Sequence, residues 1–408
     1  MPLKSQKVAV IGCGPGGLAS ALFLSRQGNE VTLFERFSTP KPVGSGLLIQ
    51  PSGQHVLESL GLLNKTKVLA GPVDRLHGLS VPRNRRALDM QYANTGAGVC
   101  ALGIHRSSLF DILMDAVKER GIPIMVGHEM LGVEESEGGI SPHFSNGDHN
   151  LIFDLLIDAS GAYSVLRQGS QTELKFGAFW TTVDLPENHS IIPRALDQRY
   201  YRASKMAGIM PVGVNPATGN QGVAIFWSER PEMVRQIRNM GIEKFRKEYC
   251  NLWPEAEPFV SQILSMEELT MAVYVHRTGR ASSHRRVFHV GDSWHCTSPQ
   301  LGQGANMALI DAAALAEALD VESTLENVAK RYKRSRSFHI GLYQMLSRLF
   351  TPLYQSNSSL LPLIRDLAIH HFARLPIIRS LIARTVSGHL GITIGNRANR
   401  LKSIPPRP

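Results

Sequence analysis

The stretch VAVIGCGPGGLASALFLSRQGNEVTLFER, Val8–Arg36, decides how the rest of the chain is read. Val8–Gly12 is an unbroken apolar run, as expected of a parallel strand buried on both faces. After GCGPGG, the residues Leu18, Ala21, Leu22 and Ser25 recur at helical spacing until Gly28 ends the helix. Glu30–Arg36 is a second strand pattern and completes a βαβ unit. Within it Gly12, Gly14 and Gly17 stand in G-x-G-x-x-G order. Gly12 permits the tight turn, Gly14 lets the backbone approach a diphosphate, and Gly17 lets helix and strand pack closely. The helix N-terminus presents free N–H groups to the phosphates. Glu35, followed by Arg36, stands where a carboxylate accepts hydrogen bonds from ribose hydroxyls. The fold class is therefore α/β, with a Rossmann-like dinucleotide-binding unit at the start.

At 408 residues the chain is long for one core, so two structural units sharing a cleft are expected. Hydrophobic residues make up 43% and charged residues 19%, which is ample material for a globular interior. The N-terminus enters its strand pattern at once, without the apolar region of a signal peptide, and no run of about 18 apolar residues suggests a membrane span. Cys13, Cys100, Cys250 and Cys296 are scattered without C-x-x-C spacing, which argues against a disulfide framework or a metal site and fits a reducing cytoplasm. Cys13 and Cys296 fall in glycine-rich loops and read as small residues rather than redox thiols.

The net charge of +10 is concentrated at one end: residues 321–408 hold 14 Lys and Arg against 3 Asp and Glu. No nucleic-acid recognition motif accompanies that charge, so nucleic acid is not expected as a partner. A solvated basic face is the plainest reading, and peripheral contact with an anionic membrane surface is the alternative.

Between these ends, HRSSLFDILMDAV has helical periodicity, with an S-x-x-D start signal at Ser108 and Asp111. PIMVG, HEMLGVEES and LIFDLLIDASG follow as strands of a short antiparallel meander that returns to the main sheet. Residues 171–282 are rich in β-branched and aromatic residues with turn signals between, which predicts a separate antiparallel sheet; Arg75–Ala93 adds strands to it. After Ala312 the pattern is helical and basic, and Pro352, Pro362 and Pro376 predict short helices.

A second glycine-rich stretch, GDSWHCTSPQLGQGANMALIDA (Gly291–Ala312), follows the strand pattern RRVFHV. Together with GCGPGG…Glu35 and DASGAYSVLR (Asp158–Arg167), it makes the chain resemble the FAD-dependent aromatic hydroxylases of the para-hydroxybenzoate hydroxylase type, the group A flavin monooxygenases. The resemblance implies a glutathione-reductase-type FAD-binding domain with a β-meander, formed by residues 1–70, 97–170 and 283–330. It implies a substrate domain built on an antiparallel sheet from residues 71–96 and 171–282, and a C-terminal basic helical region, 331–408.

As cofactor ligands the resemblance implies Gly12, Gly14, Gly17, Glu35, Arg36, Gly46, Arg106, Ser160, Asp292, Pro299, Gly302, Gln303, Gly304, Ala305 and Asn306. Asp292 would meet the ribityl hydroxyls, and Arg106 a phosphate or the ribityl chain. Gly44 and Gly46, in GSGLLIQP, would let backbone approach the flavin ring. Residues 302–306 lead into a helix whose positive end faces the flavin edge where negative charge gathers on reduction. Pro299 and His295 are the catalytic candidates beside the ring. Trp180, Tyr200, Tyr201, Met210, Phe226 and Trp227 are candidates for an aromatic-sized substrate pocket.

The implied activity is insertion of one oxygen atom of O2 into an aromatic or polyketide-like small molecule through a flavin C4a-hydroperoxide, with NADH or NADPH as the transient electron donor. The middle motif departs from the family's G-A-D-G order: Asp158-Ala159-Ser160-Gly161 puts a serine where the acid usually stands. That leaves a separate flavin reductase open as the electron source. It also keeps alive a flavin-dependent reductase or dehydrogenase acting on, for example, a prenyl lipid, and a non-catalytic FAD- or NAD-binding protein.

Overall fold

The computed structural model describes residues 3, 5–39, 46–148, 151–372 and 375–390. Gly44 and the last 18 residues, 391–408, lie outside the described residues.

Lys7–Ile11 runs through the middle of a six-stranded sheet whose order is Ser282–His284, Val287–His289, Leu155–Asp158, Lys7–Ile11, Glu30–Glu35, Ile124–Val126. Every pairing is parallel except the first, at the edge. The apolar run explains the central place, because successive residues serve two different cores. Val8 and Val10 pack with Leu18, Leu22, Leu109, Leu113 and Leu309, from the helices Pro15–Arg26, Arg106–Glu119 and Gly304–Val321. Ala9 and Ile11 face the other way, onto Met130, Ile140 and Phe144 of the antiparallel pair Met130–Glu135 and Ile140–Phe144. The expected meander reduces to this pair, a cover on the back of the parallel sheet; Ile124–Val126, expected within it, instead pairs parallel with Glu30–Glu35 at the sheet's edge.

A seven-stranded sheet stands beside this layer, in the order Thr270–Ala272, Gly177–Asp184, Gln221–Glu229, Lys205–Val214, Ala195–Tyr201, Arg75–Ser80, Arg85–Gln91. It departs from the expected purely antiparallel sheet at one place. Arg75–Ser80 pairs parallel with Ala195–Tyr201. These strands reach the sheet from separate parts of the chain, so no hairpin turn dictates opposite directions. One face of the sheet packs Phe179, Ile209, Ile225 and Trp227 against Phe245, Tyr249 and Trp253.

Two local expectations need correction. The helix expected to open at Ser108 begins at Arg106, because His105 caps it by accepting from the Ser107 N–H at 3.2 Å. Burial, with Arg106 adding to it, lowers the His105 pKa, and the neutral ring keeps the lone pair this cap requires. The chain before Pro352 is not broken into short helices but forms one helix of 30 residues, Leu325–Tyr354, with Pro352 in its last turn. Pro362 and Pro376 sit in the first turns of Leu361–Phe372 and Pro376–Val386, where a missing N–H costs nothing. Among the described residues, no helix is long and apolar enough to cross a membrane.

Candidate active site

Gly12 ends the first strand with φ of +101°, a conformation that favours glycine, and its N–H bonds to the Phe34 carbonyl at 2.8 Å. A Cβ here would lie 2.6 Å from the Ala159 oxygen, so the first glycine loop rests directly on the Asp158–Gly161 motif. Glu35 accepts from the Cys13 N–H at 3.0 Å and the Phe37 N–H at 3.2 Å. It braces the loop and keeps lone pairs for a further donor. Arg36 is exposed and lies over the Phe37 ring, 4.5 Å from its centroid.

Asp158 is wholly buried and explains the motif's unusual order. It accepts from the Ser160 and Ser164 hydroxyls, each at 2.5 Å, and from His289 Nδ1 at 2.8 Å. Burial alone would raise its pKa, but His289 and the serines overcome that and hold it below the usual carboxylate range. Ser160 therefore closes a local anchor: its proton is committed to Asp158, while the residue itself stays exposed.

The late loop has its own anchor. Asp311, on the helix Gly304–Val321, accepts from the Gly291 N–H at 2.9 Å, from His295 Nε2 at 2.7 Å and from Arg336 Nε at 2.6 Å. Burial would push Asp311 up, yet His295 and Arg336 bring it down to about 2. His295 is thus turned behind the loop, bound to Asp311, and does not line the cavity described below. Asn306 is another brace: its Oδ1 accepts from the Gln50 N–H at 2.8 Å, and its Nδ2 donates to the Leu48 and Gly302 carbonyls, both at 2.9 Å.

The first glycine loop packs beside the elements that carry the second. A Cβ on Gly16 would lie 2.9 Å from Val290 Cγ1 and 3.2 Å from Ala308 Cβ, so the start of the first helix presses against the strand and helix that flank the second loop. Residues 5–338 match the family whose description is FAD binding domain. The chain belongs to that family. Its relatives include an FAD-dependent urate hydroxylase of Mycolicibacterium vanbaalenii, 24% identical over 329 residues that make up 76% of this chain and 78% of the relative. A kynurenine 3-monooxygenase of Stenotrophomonas maltophilia is 25% identical over 371 residues, 84% of this chain and 78% of the relative. In fold, the chain resembles Klebsiella pneumoniae HpxO, solved with FAD and uric acid: the TM-score is 0.79 at 18% identity, covering 94% of this chain and 97% of the other.

The second glycine-rich stretch opens on a cavity of about 690 Å³. Gly46, Arg106, Asp292, Pro299 and Gly302–Ala305 line it. Asp292 is exposed to the cavity, yet it lies so deep in the molecule that burial raises its pKa, with His295 and Arg106 pulling it down less strongly. Trp180, Tyr200, Met210 and Phe226 of the seven-stranded sheet line it too, and Gly46 packs against Met210. Tyr201 and Trp227 do not, since neighbouring residues of a strand point to opposite faces. Tyr201 is exposed, and Trp227 is buried in the core behind the sheet.

The same alternation exposes what was missed. Leu196, Gln198 and Tyr200 share one face of Ala195–Tyr201, and all three line the cavity, so Tyr200 alone would have led to the other two. Tyr274 also lines it; its hydroxyl accepts from the Trp180 indole N–H at 2.9 Å, and burial pushes its pKa up to about 12. Leu342, Leu346 and Phe350 of the long helix, with Leu381 and Ile382 of the last described one, complete the wall. No local motif marks these helical positions.

Burial and neighbouring carboxylates raise the thiols of Cys13 and Cys296 to about 12 each. The folded protein at pH 8 is therefore expected to react with a thiol reagent at the half-buried Cys100 and Cys250 first, with Cys13 and Cys296 labelled only on denaturation. Peptide mapping of native labelling checks this.

Proposed function

We propose that this protein is an FAD-dependent monooxygenase that hydroxylates a small aromatic molecule, with NADH or NADPH as donor and O2 as co-substrate. The observation that carries the reading is the contact of the first glycine-rich stretch, at Gly16, with Val290 and Ala308 on either side of the second loop, beside one largely apolar cavity.

The residues present fit FAD. Gly14 has no protein atom within 4 Å of where its Cβ would stand, an open cradle at the N-terminus of a 12-residue helix. Gln50 Nε2 and Gln303 Oε1 are buried without hydrogen-bond partners, and both side chains border the cavity. Gly12, Gly14 and Gly17 would hold the diphosphate, Glu35 and Arg36 the adenosine end, and Arg106 and Asp292 the ribityl chain. The helix starting at Gly304 carries no side-chain cap on its Gln303 N-cap, so the free N–H groups of Gly304 and Ala305 would face the ring. Gly46, Pro299 and Gly302 would border the ring, while Ser160 and Asn306 act through the loops they brace.

Bound FAD supplies activation of O2 once it is reduced. The chain's own contribution is positional. Trp180, Met210 and Phe226 exclude water and pack an aromatic ring. Tyr274, kept protonated and accepting from Trp180, holds a proton at its hydroxyl that a substrate oxygen can share. Arg106 favours an anionic or ionised ring. His295 is assigned to positioning rather than to proton transfer. Electrons enter from NAD(P)H in place, or through a separate flavin reductase, because Ser160 brings no charge to the middle motif. The basic C-terminal region is assigned to contact with an anionic membrane surface.

FAD-loaded protein mixed with NADH or NADPH and a panel of phenols is expected to consume O2 and yield a product one oxygen atom heavier. Substrate reduction under nitrogen, without O2 uptake, would instead establish a reductase.

A further inference from the structure

The helices that close the cavity are apolar on the outside as well. On Leu325–Tyr354, Phe338 is 69%, Met345 56% and Leu349 61% exposed. Spaced seven and four apart, they form one line along the helix. The adjacent line, Leu342, Leu346 and Phe350, lines the cavity. The same pattern recurs at the end of the described chain. Ile377 of Pro376–Val386 is 84% exposed, while Ile382 and Val386 line the cavity. Leu381 does both, being half exposed and part of the cavity wall, and so marks the mouth. Leu360, Ile364 and Leu367 add a third exposed line at helical spacing.

So much exposed apolar surface on these helices, two of which line the cavity, calls for a cover. The charges say which. Lys333, Arg334, Arg348, Arg379 and Arg384 border these lines, and all five are exposed; Lys330 is already paired with Glu326 at 2.6 Å. From residue 327 to 390 the one acidic residue is Asp366, buried and paired with Arg365 at 2.7 Å. A second copy of the chain would bring a like-charged rim against this one, which opposes association. An anionic bilayer surface answers both features: its headgroups meet the basic side chains, and its acyl boundary takes the apolar lines.

We propose that the C-terminal helices seat the enzyme on an anionic bilayer with the cavity mouth turned toward the lipid. The substrate is then a membrane-dissolved amphiphile, an aromatic ring carrying an apolar chain. The ring lies between the flavin loop and Phe226, and the chain follows Leu346, Phe350 and Ile382 out past Leu381. The docking half stands on surface chemistry alone, and the substrate half rests on the monooxygenase reading.

The test uses the full, FAD-loaded chain in flotation assays with phosphatidylcholine vesicles, with and without phosphatidylglycerol. The variant carries Phe338→Ser, Met345→Ser and Leu349→Ser, none of which lines the cavity. Wild type is expected to bind anionic vesicles about tenfold more tightly than neutral ones. The variant is expected to lose about tenfold or more in anionic vesicle binding while keeping its FAD. Wild type is also expected to oxidise a long-chain alkylphenol in anionic vesicles faster than a short-chain phenol in buffer, and the variant to lose that advantage. Docking is overturned if wild type stays with the buffer fraction, if the variant floats as well as wild type, or if the substitutions instead split a solution dimer. Vesicle binding without long-chain preference overturns the substrate half. Failure to oxygenate any phenol at all, with binding intact, strikes the monooxygenase reading instead.

Discussion

Gly14→Ala is expected to yield a folded protein that holds flavin far more weakly. Gly14 has φ of −69° and ψ of 173°, a conformation open to alanine, and the added methyl meets no protein atom within 4 Å. Its only conflict is with a ligand on the loop, so FAD affinity should fall by roughly ten- to a hundredfold, the equivalent of one to two tenfold steps at about 1.4 kcal/mol each. The companion change separates ligand from fold. A methyl on Gly17 would lie 1.9 Å from the Gly12 oxygen, so Gly17→Ala forces the helix off the strand and should destabilise the apoprotein itself. FAD fluorescence titration and thermal unfolding of the two variants check both results. An unchanged FAD affinity in Gly14→Ala would remove the diphosphate from this loop.

The second large effect is expected at Arg336. Its Nε donates to Asp311 with both side chains wholly buried, so Arg336→Leu leaves a buried carboxylate without its guanidinium partner, held only by the Gly291 N–H and His295. Breaking such a pair costs about 3–5 kcal/mol. Adding Asp311→Asn should recover part of the loss, because the buried charge goes with its partner. Acid titration gives an independent readout. Asp311 sits at about 2 in the folded protein against roughly 3.9 for a free aspartate, so its stabilising contribution is complete above pH 4 and drains away as pH falls toward 2. Wild type should lose stability steeply in that window, and the double variant less steeply. Identical acid profiles would contradict the assignment.

Where the chain runs through regular local chemistry, its reading was direct. The strand Val8–Gly12, its loop and the following helix were legible because one periodicity and three glycines point to one geometry. The late loop was legible for the same reason. What escaped depends on contacts between distant segments. Nothing near His295 announces that its ring is bound to Asp311, and nothing near Ser160 shows that Asp158 has claimed its proton. Trp227 looked like Phe226 until the sheet placed them on opposite faces. Leu346 and Ile382 read as ordinary helix residues, because a cavity wall made by helices from a far part of the chain carries no signature in its own spacing. The parallel entry of Arg75–Ser80 belongs with these, since direction in a sheet is settled by where a segment returns from.

The nested order of the six-stranded sheet bears on how the protein is made. Lys7–Ile11 leaves the ribosome well before its neighbour Leu155–Asp158, and Val287–His289 and Ala308 come later still. On the proposed FAD reading, a nascent chain has no complete cradle until Ala308 has been synthesised, and contacts so distant in sequence form slowly. Flavin loading should therefore be a late step of biogenesis, and a shortage of the nucleotide should leave behind full-length apoprotein rather than stalled fragments.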